Sequence, residues 1–164
     1  MRPSKPRLHW ARLTIYYVTN LVHGLLRVVF DMAEGIDHIG IATNSLDAHS
    51  EFWSSLGFIQ GKDELNEEQG VKIRFFQPVS GGPKIELLEP LTPDSPIGKF
   101  LDKRGEGVQQ IAVKTIDIVS TISQLKSLGI RMINEVPIRG ANGTKIAFVH
   151  PSSTGGVLVE LVEH

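Results

Sequence analysis

The sequence predicts an α+β fold built from two paired βαβββ modules whose sheets curve about a shared cleft. Three observations predict it. Strands of period-two alternation recur 72 positions apart, each is followed by a capped apolar helix ending on Leu-Gly, and each half closes on a strand holding a carboxylate between branched apolar residues. The 164 residues are 41% hydrophobic and 21% charged, which suits one domain with a core large enough to hold a rigid site. With no Cys, disulfides and thiolate metal sites are excluded.

The chain opens on a basic leader. Arg2, Lys5, Arg7, Arg12 and Arg27 stand before the first carboxylate, Asp31. Leu13 to Phe30 is apolar, yet Asn20, His23 and Arg27 would each cost a few kcal/mol at bilayer depth, which argues against a membrane span. Residues 1–33 are therefore expected to be an extension, either unstructured sequence upstream of a true start at Met32 or a transit peptide, and 34–164 the domain. The expected location is cytoplasmic, or the mitochondrial matrix if the leader is a transit peptide. From Met32 onward 12 Lys and Arg face 17 Asp and Glu, a balance that argues against nucleic acid as a partner.

The first module, about 36–90, begins with the alternating strand Ile36-Asp37-His38-Ile39-Gly40-Ile41-Ala42. Ser45 then suits an N-cap, for a helix whose apolar residues are Leu46, Phe52, Trp53 and Leu56 and whose stop is Gly57. Strands follow over Val71 to Gln77 and Lys84 to Glu89. Ser95 and Pro96 open a short connecting helix that ends at Gly105, with Pro at the first helical position where its missing N–H is harmless. The second module, about 107–163, repeats the plan. Its first strand is Val108 to Val113, Asp117 caps a helix carrying Ile118, Ile122, Leu125 and Leu128, and strands follow over Thr144 to Val149 and Gly156 to Val162.

Equivalent positions of the two copies bring His38 and Gln110 from the first strands, and Glu86 and Glu160 from the last, toward the shared axis. Alternation alone leaves two readings for Glu86 and Glu160: outward to solvent, or into the cleft, where a carboxylate needs a partner or a metal. An imidazole, two carboxylates and an amide oxygen make a mixed N/O donor set suited to Mn, Co, Ni or Zn, with Lewis-acid polarisation of a carbonyl as its chemistry. Glu67 and Glu68 read as a solvated turn, His150 before Pro151 as a structural strand end, and Lys99, Lys103 and Arg104 as a cationic helix end. Gly105-Glu106-Gly107 lacks the spacing and the Lys-Ser/Thr ending of a phosphate loop. Asn142-Gly143-Thr144 matches a glycosylation acceptor by residue type, in a chain without a convincing secretory signal.

Ile36 to Ala42, Asn66-Glu67-Glu68-Gln69-Gly70-Val71 and Ile85-Glu86-Leu87-Leu88-Glu89-Pro90-Leu91 together resemble the methylmalonyl-CoA epimerase family of the vicinal oxygen chelate (glyoxalase-like) superfamily. The resemblance continues through Asp94-Ser95-Pro96-Ile97, Gly105-Glu106-Gly107 and Lys145 to Pro151, and it ends in Gly155 to Leu161. It implies the vicinal oxygen chelate fold and a divalent metal, often cobalt, held by His38, Glu86, Gln110 and Glu160. It also implies an acyl-CoA substrate, a homodimer, and epimerisation by proton removal and return α to the thioester through a metal-stabilised enolate, with Glu160 as base. Two departures stand out. Gln109-Gln110 replaces the family's usual His-His pair, and Ile73 stands where some epimerases carry a second carboxylate. The competing readings are a glyoxalase I-type lactoylglutathione lyase, whose ligand sets also mix His or Gln with two Glu, and a non-catalytic binding protein on the same fold.

Overall fold

The structure, a computed structural model, describes residues 32–164, so the expectations about the leader lie outside the described residues. Strand β1 runs Ala33–Ala42, three residues longer toward the N-terminus than its alternation indicates. A register shift between Ala33 and Gly35, where Gly35 takes φ 128°, breaks the period-two pattern there. Helix α1 (Leu46–Ser55) follows, then the short strands β2 (Phe58–Gln60) and β3 (Glu64–Asn66) and the long pair β4 (Val71–Pro78) and β5 (Lys84–Pro90). Helix α2 (Pro96–Arg104) leads into the second copy: β6 (Gly107–Thr115), α3 (Ile118–Ser127), β7 (Ile138–Arg139), β8 (Lys145–Val149) and β9 (Leu158–Glu163). No helix among the described residues is long and apolar enough to cross a membrane.

The caps are as predicted, with one addition. Ser45, Ser95 and Asp117 each accept a backbone N–H from the first turn of the helix that follows, satisfying donors the helix cannot pair itself. In addition, the Glu89 carboxylate at the end of β5 accepts the N–H of Leu46 at 2.7 Å, and Glu163 at the end of β9 accepts that of Ile118 at 2.8 Å. Each module thus uses a last-strand carboxylate to anchor its own helix, where negative charge also meets the positive end of the helix dipole.

The strand order is β2-β4-β5-β1-β6-β9-β8-β7, with β3 paired to β4. It reads the same from either end once β1 is matched with β6, β5 with β9, β4 with β8 and β2 with β7. β1 pairs with β5 in parallel, β6 with β9 in parallel, and the two modules join through the antiparallel β1–β6 ladder. On the outer face, Leu46 of α1 packs on Phe76, Ile85 and Leu87, and Ile118 and Ile122 of α3 pack on Ala147, Val149 and Leu161. The inner face is apolar too, with Ala42, Val71, Ile73 and Leu88 against Ile97 of α2, and Ala112, Ile146 and Val162 in the second half.

Three of the apolar residues read on the helices face solvent. Phe52 and Leu56 of the first module are 59% and 60% exposed, and Leu128 after α3 is exposed as well. At 100° per residue, the face through Leu46, Ser50 and Trp53 meets the sheet, while Phe52 and Leu56 fall about 80–120° away from Leu46. Ser50 occupies the buried place instead, and Arg74 of β4 reaches beneath the helix to meet Ser50 Oγ at 2.8 Å and Asp47 at 2.7 Å.

Candidate active site

The four residues singled out from the repeat converge in the cleft. His38 (β1), Glu86 (β5), Gln110 (β6) and Glu160 (β9) lie on the four central strands, and only 4–6% of each is exposed. The pleat settles the direction of the carboxylates. Lys84, Glu86 and Leu88 line the cleft while Ile85 and Leu87 pack outward, and Leu158, Glu160 and Val162 do the same in the second half. His38 Nε2 lies 3.2 Å from Glu86 Oε2 and 3.7 Å from Glu160 Oε2. The Gln110 amide nitrogen donates to Glu86 Oε2 at 3.3 Å and to Glu160 Oε2.

Gly40 makes room for this arrangement. It pairs with both Glu86 and Gln110, and a Cβ there would stand 2.7 Å from Gln110 Cγ. Above the four donors opens a cavity of about 320 Å³ walled by Val71, Ile73, Phe75, Ile97, Ile146 and Phe148. Glu67 and Glu68 are both exposed, as expected of a solvated turn, and Glu68 stands at the mouth of the cavity. Glu64 of β3 accepts the backbone N–H of Asn142, a cavity-lining residue, at 2.9–3.0 Å. The other two secondary expectations hold their structural sense: His150 Nδ1 accepts the Ser152 N–H, and Ile73 is a buried member of the apolar wall.

The electrostatics follow from the crowding. Burial by itself would drive the His38 imidazole down, but Asp37, Glu160 and Glu86 beside it outweigh that and push it up to about 11. Burial raises Glu160 above the usual carboxylate range, and the neighbouring Glu86 charge adds to the rise against the lowering by His38. The pocket therefore attracts positive charge.

Do these donors fit a divalent ion? Among the described residues no three His, Cys, Asp or Glu side chains already form a metal cluster, so the fit rests on the fourth donor and on the imidazole. His38 Nε2 is fully buried and faces only the Glu86 and Glu160 carboxylates, as expected of a nitrogen placed for coordination. The Gln110 amide sits among the same atoms, and a half-turn of its terminal torsion presents oxygen where nitrogen now points. His38 Nε2 stands 3.2–3.7 Å from the two carboxylate oxygens, close to the spacing of about 3 Å expected for neighbouring ligands at roughly 2.1 Å from one ion. The residues fit.

Four residues around the set were given no place in the site by the sequence reading, Gln109 among them although it was named as a departure from the family. Asp37 and Lys84 form an ion pair beside His38, and Gln69 and Gln109 each bury an unpartnered amide atom in the cleft lining. Asp37 stands next to a marked histidine and Gln109 next to a marked glutamine, but simple alternation assigns both to the opposite face.

Fold and site together define a two-module protein with a mixed-donor cleft on its internal twofold axis. The family model of the glyoxalase/bleomycin resistance protein/dioxygenase superfamily matches residues 37–148, and the chain belongs to that superfamily. A mitochondrial methylmalonyl-CoA epimerase of Bos taurus is 36% identical over 128 residues, covering 77% of this chain and 72% of that protein. The crystal structure of methylmalonyl-CoA epimerase from Mycobacterium tuberculosis matches at TM-score 0.78 and 38% identity, over 84% of this chain and 92% of that one. A substituted Streptomyces coelicolor methylmalonyl-CoA epimerase in complex with 2-nitronate-propionyl-CoA matches at TM-score 0.74 and 42% identity, over 80% and 97%. Within the superfamily, the chain is a member of the methylmalonyl-CoA epimerase family.

Proposed function

We propose that this protein epimerises methylmalonyl-CoA, removing the proton α to the thioester and returning it to the opposite face. The observation that carries the reading is the convergence of His38, Glu86, Gln110 and Glu160, all buried, at the floor of an apolar cavity. The relatives support the substrate class, since one of the similar structures holds an acyl-CoA analogue. A cavity of about 320 Å³ suits the malonyl unit, leaving the nucleotide end of CoA toward solvent.

When bound by the four donors, a divalent ion supplies Lewis-acid polarisation of a carbonyl oxygen, contributing several kcal/mol toward the charge that develops on it. The protein's own groups do the rest. Val71, Ile73, Phe75 and Ile97 exclude water from the carbanion. Glu160 takes the α-proton onto its carboxylate. β4 turns apolar Ile73 into the cleft, so the opposite face is served from elsewhere. Glu86 occupies the equivalent place in the first module, on β5, and its Oε2 meets the same His38 and Gln110 nitrogens as Glu160 Oε2, so it serves as a donor of the ion set rather than as the acid of that face.

The test follows methylmalonyl-CoA in deuterated water with and without chelator and with added Co or Mn, reading α-deuterium by mass spectrometry and stereochemistry with a stereospecific mutase. Metal-dependent exchange with inversion is expected. Absence of exchange under every metal, with turnover of a hemithioacetal instead, would transfer the assignment to lyase chemistry.

A further inference from the structure

The β1–β6 ladder contains two further irregularities, and they fall at equivalent places. Between Ile36 and His38 the β1 strand advances two residues while β6 advances one, which leaves Asp37 as the extra residue of a bulge. Between Gly40 and Ile41 the surplus lies on β6, at Gln109. Asp37 and Gln109 are 72 positions apart, the period of the repeat. A regular strand would turn each away from its neighbour. Because of the bulges, Asp37 and Gln109 both line the cleft beside His38 and Gln110.

Only one of the two bulge residues engages its neighbour. Asp37 Oδ1 lies 2.8 Å from His38 Nδ1, whereas Gln109 Oε1 is buried without a partner. Asp37 is itself held from two sides: Lys84 Nζ stands 3.0 Å from Oδ1, and His164 Nε2, just past β9, 2.6 Å from Oδ2. The Asp37 side chain is 9% exposed, so this geometry is enforced by packing as well as by charge. Phe75 meets the His38 ring edge-on at 5.6 Å between centroids, which restrains rotation of the ring.

The geometry points to Asp37 as the positioning residue of the site: a bulge-borne carboxylate that fixes the His38 ring with Nδ1 occupied and Nε2 toward the cleft, and so sets how tightly the donors hold a divalent ion. The inference rests on the metal reading above. A carboxylate on the far nitrogen of a ligand imidazole holds its orientation and raises its basicity, and losing such a partner costs about 10- to 100-fold in metal affinity. Asn at the same place keeps an oxygen for Nδ1–H but not the charge.

The test titrates Co2+ into the full-length metal-free protein against a competing chelator, reading the dissociation constant and the visible absorption of the bound ion. Asp37→Ala is expected to bind Co2+ about 10- to 100-fold more weakly with an altered absorption band, and Asp37→Asn to recover part of the loss. If Asp37→Ala does not fold by circular dichroism, His164→Ala decides instead; it removes only a partly exposed anchor of Asp37 and is expected to lose affinity toward the low end of that range. Parent-like affinity and absorption in the folded variant would overturn the positioning role alone. Failure of the parent to bind Co2+ would overturn the metal reading and the inference with it.

Discussion

At the scale of single residues, the site divides its work between two carboxylates that look alike in sequence. Glu160→Gln keeps the shape of the side chain and removes the base, so α-deuterium uptake is expected to fall about 10²- to 10⁴-fold, measured by mass spectrometry under saturating metal. Glu86→Gln tests the donor set. It keeps an oxygen without the charge, so Co2+ is expected to bind more weakly, and parent-like binding would remove Glu86 from the set. Gly40→Ala probes the room that Gln110 occupies. A Cβ 2.7 Å from Gln110 Cγ must displace that side chain, and the overpacking costs about 1–3 kcal/mol, read as a lower urea midpoint with weakened Co2+ binding. Much of the site was legible beforehand, because His38, Glu86, Gln110 and Glu160 sit at matching places in a repeat. Asp37 and Gln109 were not legible, since a bulge is a property of pairing between two strands and reverses the facing that alternation assigns to them.

At the scale of elements, the long strands and the caps were readable from local chemistry, and the short strands β2, β3 and β7 and the docking of helices less so. Leu46 and Trp53 mark the face of α1 that meets the sheet, Phe52 and Leu56 are exposed because they turn away from it, and Ser50 on the buried face meets Arg74 beneath the helix. Apolar residues alone could not reveal that a buried guanidinium secures this contact. Arg74 is bound by Asp63 at 2.5 and 2.8 Å and by Asp47 at 2.7 Å, linking β4 to α1 and to the segment before β3. Arg74→Met is expected to cost about 2 kcal/mol, since it removes charge-assisted hydrogen bonds, and calorimetry checks it. The same tie has a pH signature. The Arg74 guanidinium holds Asp63 at about 2, against the burial that would raise it and with help from Lys72. A carboxylate whose folded value lies below its unfolded one stabilises the fold above about pH 4, and that stabilisation is lost as pH falls toward 2. Asp63→Asn should therefore flatten this acid limb of the urea midpoint against pH.

At the scale of the whole molecule, the strand order places the site on the seam between the modules. His38 and Glu86 come from the first copy, Gln110 and Glu160 from the second, and the β1–β6 ladder holds the copies together beneath them. Without an ion, two buried carboxylates share the seam with an imidazole pushed up to about 11, so a proton supplies the positive charge that the pocket draws in. A divalent ion bound by donors of both modules would join them only in the native state, where the donors are assembled. Such binding stabilises by mass action, about 2.7 kcal/mol at 100 times the dissociation constant. For a chain of this length that corresponds to a rise in melting temperature of roughly 5–10 °C. The rise is expected with Co2+ and should be reversed by chelator. Because each module contributes two donors, Glu86→Ala and Gln110→Ala should each abolish most of it, although they lie in different copies. A full rise in Gln110→Ala with none in Glu86→Ala would mean that the first module holds the ion without the amide, and that the departure from histidine at this position has left the second module with Glu160 alone.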